Sequence, residues 1–213
     1  MVLRGGQNMN KTINIVIVGV GGQGLITIGR ILGNAAILKN VGALVSEVHG
    51  LAQRGGSVIV HARIGNPHSP LVPLGGAHAL LGLELAEVIR YLPYVNRNTL
   101  LVVNRRFIRP SVPKARMPPI EDTLAKLREK GLKVIDMNAF DLAVKAGSPV
   151  SENIVMLGGL IATNVLGGIL DIDAVREAIK YTFHPRWHEI NLKALQYGYD
   201  AVKEFFQEDK ATK

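Results

Sequence analysis

Residues 13–30, INIVIVGVGGQGLITIGR, run a continuous β-branched stretch into a glycine turn and then into apolar positions at helical spacing. An uninterrupted apolar strand belongs in a sheet covered on both faces, so helices must lie above and below it. The helical pattern covers 25–39, with Gly42 as its expected C-terminal stop. Two further strands are predicted, ALVSEV (43–48) and SVIVHARI (57–64), separated by the eight residues His49 to Gly56. A parallel crossover needs about a dozen residues or more. These two strands are therefore expected to run antiparallel or to diverge, in a mixed sheet.

Downstream, AHALLGLE (77–84) reads as a strand leading into a helix at 85–92, and TLLVVN (99–104) as another buried strand. Residues 105–119 hold four prolines and no periodicity, which marks a long irregular loop. A helix at 120–130, a strand at 133–136 and a helix at 139–146 continue the α/β alternation. From Glu152 onward only helices are expected: 152–169, 172–182 (opened by Asp171 or Asp173 as N-cap) and 187–208. The expected architecture is three-layer α/β/α, with a mixed, mostly parallel sheet and a helical C-terminal third. It forms one domain over 13–208 between flexible ends at 1–12 and 209–213. A chain of 213 residues is long enough for such a core, burying roughly 70% of its unfolded surface.

Composition removes several function classes. The chain has no cysteine, so it can supply neither thiolate ligands for zinc or iron–sulfur clusters nor a cysteine nucleophile. His184 and His188 are four apart, but Pro185 lies between them and no metal site is expected. The net charge of +8 is spread along the sequence. Its densest group, Arg105-Arg106-Phe107-Ile108-Arg109, follows a strand and reads as a solvated or partner-facing loop rather than a nucleic-acid surface. Docking of an acidic protein or a phosphorylated small molecule there stays open. The stretch 154–170, IVMLGGLIATNVLGGIL, barely reaches the length of a membrane span and carries Thr163, Asn164 and four glycines. It reads instead as a buried helix whose small residues admit a close neighbour. The N-terminus lacks the apolar core of a signal peptide, and a cytoplasmic location is expected.

Two glycine loops carry the candidate chemistry. Gly19-Val20-Gly21-Gly22-Gln23-Gly24 fits G-x-G-x-x-G, with Glu47 about twenty residues on, as a dinucleotide-binding fold would require. A turn of this kind exposes backbone N–H groups at a helix start and can hold a phosphate or carboxylate. Equally, its glycines can serve turn geometry or subunit packing alone. The short connection after 43–48 leaves no room for the crossover helix of a nucleotide-binding half, which weighs against NAD or FAD. The second loop, Glu47-Val48-His49-Gly50-Leu51-Ala52-Gln53-Arg54-Gly55-Gly56, gathers a carboxylate, an imidazole, an amide and a guanidinium beside three glycines. Arg54 there suits bidentate recognition of a carboxylate or phosphate, or else pairs with Glu47. If both loops lie at one edge of the sheet, they form one site.

VGVGGQG taken together with SEVHGLAQRGGSVIVHARIG resembles the gamma-domain family of 2-oxoacid:ferredoxin oxidoreductases, and within it the small subunits of the indolepyruvate branch. The likeness runs from about Ile13 to Gly198. It includes Asn104, the stretch Asn153-Ile154-Val155-Met156-Leu157-Gly158, and Glu189-Ile190-Asn191 leading to Ala194 and Gly198. His49 and Gln53 favour the indolepyruvate branch; gamma subunits for pyruvate or 2-oxoglutarate share the first loop and are the alternative. The resemblance implies a cytoplasmic multi-subunit enzyme. It decarboxylates an aryl pyruvate oxidatively to an aryl-acetyl-CoA and CO₂, with coenzyme A as cosubstrate and ferredoxin reduced through the complex. Thiamine diphosphate with its magnesium and the [4Fe-4S] clusters are expected on the large (alpha) subunit, and none on this chain alone. On this reading Gly21, Gly22, Gln23, Gly24, His49, Gln53, Arg54, Gly55 and Gly56 face the partner or the substrate. The resemblance assigns no catalytic residue and no metal ligand here.

Overall fold

The computed structural model describes residues 11–50, 55–109 and 116–211. Six strands form one sheet: β1 Ile13–Val20, β2 Gly42–His49, β3 Ser57–Gly65, β4 Ala79–Gly82, β5 Leu100–Asn104 and β6 Lys133–Met137. Their order is β2-β3-β1-β4-β5-β6. Strand β3 runs antiparallel to both β1 and β2, while β1, β4, β5 and β6 pair in parallel. The short connection before β3 thus inverts one strand and leaves the other five pointing the same way.

Alternation along β1 sorts the core into two layers. Ile13, Ile15 and Ile17 join a cluster with helices α1 (Leu25–Leu38), α4 (Ala139–Ala146), α5 (Glu152–Ala162), α6 (Ile172–Thr182) and α7 (His188–Ala211). Val16 and Val18 face the opposite cluster, built with α2 (Leu85–Arg90) and α3 (Ile120–Glu129). This is the three-layer, mixed and mostly parallel arrangement expected from the sequence.

Several boundaries differ from expectation, three of them at positions that bear on the site or its packing. Asn40, at φ 55°, takes the left-handed position that ends α1, whereas Gly42 opens β2. Helix α5 stops at Ala162 rather than 169, because Asn164, Gly167 and Gly168 all adopt positive φ. Strand β2 runs from Gly42 to His49, so His49, expected to open the connecting loop, is the last residue of the strand. The N-cap of α6 is Asp171, whose side chain accepts the Ala174 N–H at 2.8 Å.

Helix α5 is buried along nearly its whole length, and no described helix is long and apolar enough to cross a membrane. It lies against α7 through two reciprocal glycines. A Cβ on Gly158 would sit 2.0 Å from the Leu195 carbonyl oxygen, and one on Gly198 would sit 1.8 Å from that of Val155. The small residues of the apolar stretch thus admit a neighbouring backbone.

Two histidines give the fold a pH dependence. His61, 2% exposed, accepts the Val72 N–H at 3.3 Å through Nδ1 and stands edge-on to Tyr94. Nδ1 of His78 accepts the Asn14 N–H at 3.0 Å. Burial lowers the pKa of both imidazoles, and Lys11 lowers that of His78 further. The unfolded chain takes up these protons near pH 6.5 while the folded one resists them, so their contribution is complete above 6.5 and is lost as pH falls below it. Glu84, raised by burial, acts in the opposite sense. Thermal melting at pH 7.5 and pH 5 is therefore expected to show a drop that shrinks in His61→Asn, whose amide oxygen takes the place of Nδ1 as acceptor of the Val72 N–H. An unchanged drop would remove His61 as a source.

Candidate functional site at the C-terminal edge of the sheet

Strand β1 ends in a turn closed by the Gln23 N–H donating to the Val20 carbonyl at 3.1 Å. Gly22 and Gly24 stand at φ 103° and 78°, the left-handed region that side chains avoid. Gly24 is the N-cap of α1 and brings no side-chain cap, and the first turn of the helix carries no acidic residue. The positive end of α1 therefore opens outward. Asn153, from the start of α5, donates to the Gly24 carbonyl at 3.2 Å and fixes the turn from behind.

Gln23, expected among the binding residues, borders two clefts at this edge while its side-chain amide turns inward. Its Oε1 accepts the Val20 N–H at 2.7 Å and its Nε2 donates to the Leu83 carbonyl at 3.0 Å. The amide therefore bridges the ends of β1 and β4. Those neighbouring strands lead into α1 and α2 on opposite faces, which makes the gap between them the switch point where open α/β sheets hold nucleotides. Here the Gln23 side chain spans that gap. The dinucleotide pattern in the sequence thus serves a turn with a polar bridge across it.

The second glycine loop meets the first directly. The Gly21 N–H donates to the Gly56 carbonyl at 2.8 Å, and the Gly55 N–H donates to the Gly21 carbonyl at 3.2 Å. Behind this contact the Ser57 hydroxyl bonds Glu87 and Tyr91 of the α2 region. Glu47 and His49, at the exposed end of β2, line a cleft of about 510 Å³ with Gly21, Gly22, Gly24 and Thr27. Gly21, Gly22, Gly24, His49, Gly55 and Gly56 are thus brought together. Gln53 and Arg54 lie outside the described residues, and with them the alternative of an Arg54–Glu47 pair.

Gly22 also borders two further clefts. One, of about 370 Å³, is walled by Val150, Asn153, Phe183 and Trp187. The other, of about 290 Å³, is lined by Arg106, Ile108, Phe140 and Glu152. Together they make one groove along the strand ends.

From sequence the Arg106 end of the groove was read only as part of a solvated or partner-facing basic loop, with docking of an anionic partner left open. The Arg106 guanidinium pairs with Glu152 and lies 5.6 Å from the centre of the Phe140 ring. Asn104, at the end of β5, donates to Glu152 at 2.7 Å and to the Leu83 carbonyl at 3.3 Å, and it accepts the Ala139 N–H at 3.1 Å. Buried Glu84 accepts the Ile108 N–H at 3.1 Å and so holds the loop that carries Arg106, while burial pushes its carboxyl pKa up. Arg105, by contrast, pairs with Asp136 and Glu121, which takes it out of the basic patch suspected from sequence. The available signal was position: residues just past parallel strands collect at this edge.

Over residues 14–201 the sequence matches the family described as pyruvate ferredoxin/flavodoxin oxidoreductase. It is 42% identical over 191 residues to the indolepyruvate oxidoreductase subunit IorB of Archaeoglobus fulgidus, covering 88% of this chain and 94% of that one. To the subunit of the same name from Methanothermobacter thermautotrophicus it is 36% identical over 195 residues, covering 90% and 98%. The fold is similar to the crystal structure of a keto/oxoacid ferredoxin oxidoreductase gamma subunit from Geobacter sulfurreducens. That match has a TM-score of 0.66 and 26% identity, and it covers 89% of this chain and 98% of the other.

Proposed function

The chain belongs to the pyruvate ferredoxin/flavodoxin oxidoreductase family, and from that membership we propose that it is the small subunit of a 2-oxoacid:ferredoxin oxidoreductase acting on indolepyruvate or a related aryl pyruvate. The enzyme converts the oxoacid and coenzyme A to acyl-CoA and CO₂ and passes the two electrons to ferredoxin. It works in the cytoplasm as a complex with a larger subunit.

This chain's own residues do not suit the redox and carbanion groups. With no cysteine it has no thiolate for a [4Fe-4S] cluster, and it lacks the Gly-Asp-Gly and distant Asn that hold thiamine diphosphate's magnesium in this family. Both groups reside on the larger subunit. Bound there, thiamine diphosphate would supply the carbanion chemistry and the clusters an electron path.

The role of the small subunit is carried by one observation: two glycine loops, hydrogen-bonded through Gly21, Gly55 and Gly56, frame the open N-terminus of α1 at one end of a groove. Backbone N–H groups there suit an anionic group such as the phosphates of coenzyme A. The groove, with exposed Val150 and half-exposed Phe140 and Trp187 along it, turns toward the larger subunit and completes the region where acyl transfer occurs.

The test is co-expression with the larger subunit and an assay of indolepyruvate-dependent ferredoxin reduction. The isolated small chain is expected to be colourless and inactive. Arg54→Ala and His49→Ala are expected to co-purify with the larger subunit, yet to lose turnover or to need several-fold more coenzyme A. Activity of the isolated chain would overturn the subunit reading. Full activity of both variants in an intact complex would remove the loop from the chemistry.

A further inference from the structure

Strand β2 is one of the two edges of the sheet. It pairs with β3 in unbroken register from Gly42–Gly65 to His49–Val58, and no described residue pairs with its other side. Soluble proteins normally protect such an edge with Lys, Pro, a bulge or a covering element. Strand β2, GALVSEVH, has no Lys, Arg or Pro and its ladder has no bulge. Leu44, Val45 and Val48 are 37%, 41% and 50% exposed, and the neighbouring α1 leaves Ile26 and Ile37 46% and 73% exposed.

We propose that β2 pairs antiparallel with β2 of a second copy, about a two-fold axis at Ser46. Charge argues for this contact. The chain carries a net +8, so two copies repel over most of their surface, yet no Lys or Arg occurs between Lys39 and Arg54 and Glu47 is the sole carboxylate in that span. Register argues for Ser46 as the centre. A two-fold axis normal to the sheet keeps α1 on the same face in both copies, so paired residues must share parity. Centring on Glu47 opposes two carboxylates, which is unfavourable. Centring on Val45 sets Leu44 against Ser46. Centring on Ser46 sets Leu44 against Val48 twice, places Val45 beside the stem of Glu47, and opposes no like charges. The two His49 residues then lie about 20 Å apart, six residues at about 3.4 Å each. The grooves point to opposite ends of the dimer. This association goes beyond the subunit role and does not depend on it.

The absence of cysteine provides a clean probe, because Ser46→Cys introduces the sole thiol. Directly opposed residues of antiparallel strands have Cα atoms about 4.5–5.5 Å apart, within disulfide range. Ser46→Cys is expected to cross-link into a covalent dimer under mild oxidation at least tenfold faster than Ser69→Cys, an exposed position elsewhere. Wild type is expected to sediment at twice the monomer mass at high concentration, and Val48→Lys, with an unchanged melting temperature, to weaken the dimer at least tenfold. A wild type that stays monomeric would overturn the proposal, as would equal cross-linking at positions 46 and 69. So would protection of the β2 amides from hydrogen exchange only when the larger subunit is bound, since that chain would then cover the edge.

Discussion

Gly198→Val is expected to yield no folded protein, and even Gly198→Ala to lower stability by about 3 kcal/mol or more. Overpacking is usually relieved by a side chain rotating away, at about 1–3 kcal/mol. That route is closed here, because the atoms a new Cβ meets are backbone: the Val155 carbonyl oxygen at 1.8 Å and its carbon at 2.7 Å. Helix α7 must move away from α5, and the buried Val155, Leu195 and Val202 lose contacts as it does. Against a total stability of roughly 5–15 kcal/mol, a displacement along a helix pair is close to decisive. Gly158→Ala is expected to act alike, its Cβ lying 2.0 Å from the Leu195 carbonyl oxygen. Gly33→Ala in α1 provides the contrast. Its Cβ would make ordinary contact with Val45 at 3.6 Å, so the substitution is expected to stabilise the helix by about 0.5–1 kcal/mol. Thermal or urea unfolding of the three alanine variants decides the matter. A Gly198→Ala melting curve that coincides with wild type would mean the two helices are not packed this closely.

Gln23→Ala is expected to lower stability by about 2 kcal/mol and, in the assembled enzyme, to reduce turnover about tenfold or more. The substitution strips the bridge between β1 and β4, leaving the Val20 N–H and the Leu83 carbonyl without their partner. Each unsatisfied backbone group costs about 1–3 kcal/mol when buried, and entry of water at this partly buried position lowers the sum. The effect on turnover follows from position. Gln23 sits between Gly22, common to all three clefts, and Gly24, which starts α1. Once the amide is gone, the turn that presents those N–H groups keeps only its backbone bonds and Asn153, and a displacement of about 1 Å is enough to lose roughly 10²-fold in a positioned reaction. Gln23→Glu separates the two halves of the bridge. Its carboxylate still accepts the Val20 N–H but faces the Leu83 carbonyl without a donor, so it is expected to behave like the alanine variant at pH 7 and to recover in acid. If Gln23→Ala keeps both stability and turnover, the side chain is not the bridge described.

The strands were the most legible part of the chain. Runs such as INIVIV and LLVVN announce themselves because burial on both faces demands an apolar residue at every position, whatever the neighbouring strands are. The inversion of β3 was legible too, from the length of one connection. Helix ends were read less well. Gly42 looked like the stop of α1, but Asn40 can also hold a left-handed conformation and comes first. The extension of α5 to 169 failed for a similar reason, since apolar composition continues through Gly167 and Gly168 after the backbone has left the helix.

Of the candidate site, the glycines at 21, 22 and 24 and His49 were legible as residues, and their assembly only as a condition, that both loops end at one edge of the sheet. The sequence by itself determined the strand–turn–helix at 13–38, the mixed sheet, the family, and the exclusion of cluster-ligating thiolates. Each of these rests on neighbouring residues, on a chain length or on composition. Only the tertiary structure decided that Gly21 bonds Gly55 and Gly56, that the Gln23 amide spans β1 and β4, and that Arg106 meets Glu152 across the groove. The physical reason is that periodicity reports which face of an element is buried, whereas a polar group's partner depends on which strands end side by side. Here that depends on the order β2-β3-β1-β4-β5-β6, which brings loops 35, 60 and 46 residues apart in sequence to one edge of the sheet.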